Sequence, residues 1–389
     1  MLKVYDQLFS HREFSIYKGL WGCLNYFKDQ IEIEFTTNTF DPLLYILGIE
    51  VHHDIPEEQV SFVIDNVKKN KSSKIIIDTT LEDFVKDNFF ELYDKLCNDV
   101  GEDKIIILTS SAPNVIKSNK PLPLFKNMIY WHAFETNLYV TENEYKRPPA
   151  PRQCKKHFIA LNKNARPLRN VFHSAFTKHN LIEKSYYAWH NIGLADHWKL
   201  GQFSDHPKFP QGSEILWLIE RFDLEGDVEK LKQPIRLDHD FAEWQLPDEC
   251  LKYGAVFCAF DTTACSDNIV TTTANMENNI YLSEKTFKPF LYSIPSMHYG
   301  FKNVLDEISN IGYINFNDYF NTNYKHSCNE ETLLLHIKTT TMIADLEMDD
   351  LNDILNGKEC MSMLEHNYEQ FQKQDQFFKL VDDLKEFFS

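Results

Sequence analysis

Two short stretches in the second half of the chain have the residue types and spacing for anion chemistry. The first is Leu161-Asn-Lys-Asn-Ala-Arg-Pro-Leu-Arg-Asn170, in which Lys163, Arg166 and Arg169 follow the apolar run His157–Leu161. An apolar run, a basic turn and then a helical pattern over Asn170–Lys178 describe a strand-to-helix connection. Cationic side chains and the free N–H groups of a helix start can together hold a diphosphate. A solvated basic turn reads the same way. The second stretch is Tyr281-Leu-Ser-Glu-Lys-Thr-Phe-Lys288, which opens a helix expected over Thr286–Tyr292 and leads into Ser293-Ile-Pro-Ser-Met-His-Tyr-Gly300. Ser283 suits an N-cap and Glu284 a first helical turn, so helix chemistry alone accounts for both. It does not account for Lys285, whose charge opposes the helix dipole unless an anionic ligand joins it.

The elements that would position these residues alternate between strand and helix. Lys74–Thr79 and Lys104–Thr109 read as buried parallel strands. Between them, Leu81–Val100 has a helical apolar repeat, which completes a βαβ unit. Asn127–Ala133 is a further expected strand, and Ile31–Phe35 alternates as a strand does. Arg147-Pro-Pro-Ala-Pro-Arg152 suits an extended linker. Beyond it, His157–Leu161, Gly254–Phe260, Ile294–Tyr299 and Tyr313–Phe316 are expected as strands, with Ser213–Phe222 as a helix. From Glu359 to Ser389 the apolar spacing predicts an amphipathic helix or helix pair. The expected organisation is therefore α/β, with domains at 1–150 and 151–355 and a helical tail at 356–389. Two such domains leave a cleft, and ligands bind at the carboxyl ends of the strands.

Composition bounds the function. The 389 residues carry 58 Asp+Glu against 40 Lys+Arg, a net charge of −18. That balance disfavours broad nucleic-acid binding, which needs a basic face. With 12 glycines, several Gly-rich loops are not expected. The eight cysteines form no C-x-x-C pair, so they read as buried reduced thiols rather than a zinc ribbon. No run reaches the roughly 18 apolar residues of a membrane span. The start, MLKVYDQLFSHREF, lacks the pattern of a secretory signal, so a cytoplasmic location is expected.

In their order and spacing, the two basic stretches resemble the α1,3-fucosyltransferase family, glycosyltransferases of two Rossmann-like domains facing across a cleft (GT-B). Asn162, Asn164, Ala165, Arg169 and Asn170 resemble its S-N-x-N-A-…-R-N turn, with one extra residue before the arginine. Tyr281, Ser283, Glu284 and Lys285 resemble its Y-x-T-E-K segment, and Ile294, Pro295 and, one residue late, Gly300 its I-P-x-x-x-G. Gly312-Tyr-Ile-Asn-Phe-Asn-Asp318 is similar to its strand ending in an acidic residue. The resemblance covers roughly 157–320. It departs from the family at Phe260-Asp-Thr-Thr263, where an F-E-N-like segment is usual, which leaves the donor sugar open.

The resemblance implies a metal-independent, inverting sugar transfer from a nucleotide-sugar donor to a hydroxyl acceptor, a saccharide first. It implies an acceptor-binding N-terminal domain, a donor-binding C-terminal domain and a tail packed across both. Glu284 would bond the ribose hydroxyls, and Arg169 and Lys285 would grip the diphosphate, with Arg166, Lys163 and Asn162 as further contributors. No cofactor beyond the nucleotide-sugar co-substrate is implied. An inverting transfer needs a base. Glu135, in Ala133-Phe-Glu-Thr136, is the candidate, with Asp78 and then His53 and Asp54 behind it. Apart from the resemblance, Thr271–Thr273 and the acid-poor stretch to Asn279 read either as a lid over the donor or as a flexible loop.

Other readings stay open. A transferase acting on a hydroxylated nucleic-acid base, as in viral systems, would need a basic surface. A nucleotide-sugar-binding protein without turnover would share the donor residues. Asp238-His-Asp240 has the D-x-D form of a Mn²⁺ site but follows no strong strand, and the histidines show no zinc spacing, so no metal site is assigned. Trp21, Tyr26, Phe27 and Trp131 are either core or stacking surfaces for a sugar.

Overall fold

A computed structural model describes residues 2–6, 19–48, 55–80, 87–110, 125–142, 151–164, 167–192, 223–224, 235, 246–260, 282–300, 304–323 and 330–388. The chain divides into two compact units. One comprises Met1–Glu144 with Gln372–Ser389, the other Tyr145–Phe371.

The first unit is built in the order β1 (Leu2–Tyr5), α1 (Gly19–Ile31), β2 (Ile33–Thr36), β3 (Leu44–Gly48), α2 (Glu57–Lys69), β4 (Lys74–Asp78), α3 (Asp87–Val100), β5 (Ile105–Thr109), β6 (Met128–Tyr130) and α4 (Ala133–Glu142). Its six strands are all parallel, in the order β2-β1-β3-β4-β5-β6. Both faces are covered, as a parallel sheet requires. Alternate residues therefore serve opposite cores: Ile76, Ile106 and Leu108 pack with α1, while Ile75, Ile77, Ile105 and Ile107 pack with Val63 of α2 and Leu96 of α3. The expected strand over Asn127–Ala133 is shorter than read, because Ala133 already begins α4.

The second unit runs β7 (Lys156–Asn164), α5 (Pro167–Lys178), β8 (Ser185–Ile192), α6 (Asp248–Tyr253), β9 (Gly254–Phe260), α7 (Glu284–Leu291), β10 (Ser296–Tyr299), α8 (Val304–Asn310), α9 (Phe316–Tyr319), α10 (Glu330–Ala344), α11 (Met348–Leu355) and α12 (Lys358–Lys373). A last helix, α13 (Asp375–Phe388), belongs to the first unit, where Phe377, Leu380, Val381 and Leu384 join Leu24 and Phe27 of α1. The tail read as one segment thus splits between the units after Phe371, and its two helices break at Gln374, whose φ is 54°.

The four strands of the second unit are parallel in the order β10-β9-β7-β8. Both units are thus Rossmann-like α/β sheets. In the second, α5 and α7 cover opposite faces. The Phe172 ring of α5 lies 5.7 Å from Tyr299, the Phe290 ring of α7 6.0 Å from His298, and adjacent strand residues point to opposite sides. Gly254 opens β9 where a side chain has no room: a Cβ would stand 2.3 Å from Ile159 Cγ1 and 2.7 Å from the Cys250 carbonyl.

The expected strand Tyr313–Phe316 does not form. The backbone there is extended, but its partner is a side chain: Ile314 N–H donates to Asn367 Oδ1 at 2.7 Å, and Asn367 Nδ2 donates back to the Ile314 carbonyl at 2.8 Å. Asn315 then caps α9 through the Asp318 N–H. The same device fixes the segment after the proline-rich stretch. Asn356 brackets the Arg152 backbone with two bonds of 2.8 Å, and Asn352 brackets Cys154 with bonds of 2.8 and 3.2 Å.

Candidate functional site

In a doubly wound sheet the crevice opens where the strand order reverses. In the second unit that point lies between β7 and β9, since β7 connects outward to β8 and β9 outward to β10. Pro167 supplies the first residue of α5, a position where its missing N–H costs nothing. That start places Arg169 in the first turn, 3% exposed, with its Nε donating to the carbonyl of Phe260, the last residue of β9, at 3.2 Å.

On the opposite face Ser283 caps α7, its hydroxyl accepting the Lys285 N–H at 3.2 Å. Glu284 is the first helical residue. Its carboxylate is paired with Lys285 Nζ, the two side chains being 16% and 22% exposed. Burial pushes the Glu284 pKa up, but the charges of Lys285, Lys288 and Arg169 outweigh it and bring the pKa down to about 2. One carboxylate at the carboxyl edge of the sheet is therefore paired with Lys285 and feels the charges of Lys288 and Arg169 as well. Beside them, two buried polar side chains have no hydrogen-bond partner among the described residues: the Asn170 amide next to Arg169 and the Thr286 hydroxyl next to Lys285. Buried groups of this kind cost about 1–3 kcal/mol each.

Of the residues singled out by sequence, Arg169, Glu284 and Lys285 come together here. Asn162 is buried near the end of β7, 4% exposed, where the pairing with β8 shifts register between Asn162 and Asn164. Lys288 was not among them, although its position four residues after Glu284 on a helix was the available signal. Arg166, His53, Asp54, Asp261, the helix expected over Ser213–Phe222, Thr271–Thr273 and Asp238–Asp240 lie outside the described residues, as do the side chains of Lys163 and Asn164. No metal-holding cluster of His, Cys, Asp or Glu occurs among the described residues. No protein-family model, curated protein or solved structure matches the chain. Among the described residues no helix is long and apolar enough to cross a membrane.

The first unit holds the candidate bases. Glu135 sits in the first turn of α4, where a carboxylate favours the helix dipole, and is 2% exposed. Asp78, at the end of β4, is a structural anchor. It accepts from Leu20 N–H of α1 at 3.1 Å and from the Thr80 N–H and hydroxyl at 3.1 and 2.6 Å. Asp78→Ala should therefore cost about 2–4 kcal/mol of stability, as a buried charged acceptor lost with its donors left unpaired. Urea unfolding of the variant checks this; a loss under about 1 kcal/mol would contradict it. Phe27 and Trp131 lie in the core rather than on an accessible stacking surface, Trp21 packs against that core, and Tyr26 is 42% exposed.

Proposed function

We propose that the protein is an inverting glycosyltransferase of the two-domain GT-B type, which takes its sugar from a nucleotide-sugar donor held by the second unit. The observation that carries this reading is the pairing of Lys285 with Glu284 at the switch point of that unit's sheet, where Arg169 is bonded to the end of β9 and its charge acts on the same carboxylate. Two features make the arrangement suit a nucleoside diphosphate. A diphosphate needs fixed positive charge near helix starts, which Arg169 and Lys285 offer from two helices. A ribose needs a hydroxyl acceptor, which an ionised Glu284 offers.

The chemistry follows from the charge. As the sugar C1–O bond breaks, negative charge collects on the leaving diphosphate. Preorganised cations stabilise that charge more in the transition state than in the ground state, and one such contact is worth about 3–4 kcal/mol of barrier. Arg169 and Lys285 can thus meet the charge that other enzymes meet with a divalent ion. The acceptor is a hydroxyl, on a saccharide in the first instance, and Glu135 is the candidate to take its proton.

A second reading, donor binding without turnover, is favoured by one observation: the Glu135 side chain is 2% exposed. An assay of nucleoside diphosphate release separates the two. Presented with UDP-, GDP-, CDP- and ADP-sugars in EDTA, with simple saccharides as acceptors, the protein should release diphosphate from at least one donor. Glu135→Gln should lower that release by about 10²-fold or more and leave donor affinity unchanged. Donor binding with no release from any of them would favour the binding protein.

A further inference from the structure

A second lysine of α7 stands out by its burial. Lys288 lies one helical turn beyond Glu284, so the two side chains share a face of the helix. The residue is 6% exposed. An ammonium that deep requires a counter-charge, and its charge acts on the Glu284 carboxylate. Lys285 is placed differently. Neighbours in sequence do not face one another on a helix, yet its Nζ bends back to Glu284 Oε1, and 22% of its side chain stays exposed. The bent and more exposed lysine is the one able to leave. Arg169 does not take over from it, because in the donor-site reading its guanidinium is engaged by the same diphosphate while its Nε holds the Phe260 carbonyl.

Resting on the donor-site reading above, we infer that Lys288 is a positioning residue, holding the Glu284 carboxylate against the ribose hydroxyls when Lys285 turns from Glu284 to the donor's phosphates. A diphosphate carries more negative charge than one carboxylate, so it draws Lys285 away on binding. Glu284 would then lose its nearest cation inside a partly dry site, where an unpaired carboxylate is costly. Lys288 supplies the charge that stays. Glu284 thereby acts as a ribose acceptor and Lys285 as a phosphate clamp at the same time.

The test compares wild type, Lys288→Met, Lys288→Gln and Lys288→Arg by calorimetric titration. The probes are UDP, GDP, CDP and ADP and the 2′,3′-dideoxy form of whichever binds best. Wild type and Lys288→Arg should prefer the ribose form tenfold or more. Lys288→Met and Lys288→Gln should lose most of that preference while binding the dideoxy form within twofold of wild type, since Lys285 and Arg169 remain. A purely structural role would weaken both forms in parallel. Parallel weakening, or full preference in either neutral variant that folds, overturns the inference and leaves the donor reading standing. Failure of wild type to bind any of the four diphosphates overturns both.

Discussion

Arg152→Met should destabilise the second unit by about 3–5 kcal/mol, the range seen when one partner of a buried charged network is removed. The guanidinium is buried, 5% exposed, and donates to the carbonyls of Ser293 at 2.9 Å, Leu251 at 3.1 Å and Gly254 at 2.5 Å. These acceptors belong to the turn before β10, to α6 and to the start of β9, so one side chain joins three elements around the sheet. Methionine fills the volume but leaves three buried carbonyls without their donor. Lysine is a poor substitute, because a point charge cannot span a fork-shaped set of acceptors. Lys at this position should recover less than half of the loss. Urea unfolding followed by circular dichroism measures both variants, and a cost below about 1 kcal/mol for Arg152→Met would show that the network contributes little.

Acid should be unusually destabilising below neutrality, because two buried histidines must gain protons only when the chain unfolds. His298 of β10 and His336 of α10 are each 1% exposed. Burial lowers the pKa of both to about 3 from 6.5; for His336 the neighbouring His298 lowers it further and the Thr322 carbonyl opposes the shift. Between about pH 6.5 and pH 3 the unfolded chain binds more protons at these sites than the folded one. Stability is therefore complete above the unfolded value and falls as pH drops, by about 1.4 kcal/mol per pH unit per histidine, or about 2.7 for the pair. Asn317 ties the two together, donating to the His298 carbonyl at 2.8 Å and lying 3.3 Å from His336 Nε2. Replacing both histidines with Asn or Phe should flatten the decline between pH 6 and pH 4, whatever it does to stability at pH 8. A decline as steep in the double variant as in wild type would place the acid sensitivity elsewhere.

Much of the scaffold could be read directly from the residues. β4, β5 and β9 are continuous apolar runs with polar bounds, which a strand buried on both faces imposes. The Ser283 cap and the Glu284 first turn followed from helix-end chemistry alone. What escaped has a common cause in long-range partners. Tyr313–Phe316 alternates like a strand, and its backbone is paired, but by Asn367, fifty-three positions along the chain. Nothing local distinguishes an asparagine side chain from a strand as the partner. Arg152 looked like the end of a linker until its three carbonyl partners were assembled around it. Asp78 ends a strand as a catalytic carboxylate might, and only the approach of α1 shows its bonds to be structural. At the candidate site the individual residues were legible and their convergence was not. Arg169 and Glu284 are brought to one edge by the parallel pairing of β7 with β9, strands nearly a hundred residues apart in the chain.

The central claim is that the carboxyl edge of the second unit's sheet holds a nucleoside diphosphate through Arg169 and Lys285. Calorimetric titration with UDP, GDP, CDP and ADP in EDTA, on wild type and on the Arg169→Ala/Lys285→Ala double variant, tests it most directly. Wild type should bind at least one of the four without added metal, and the double variant should bind it about 100-fold more weakly or not at all while unfolding as cooperatively as wild type. Absence of binding by wild type, or equal affinity in the folded double variant, would contradict it.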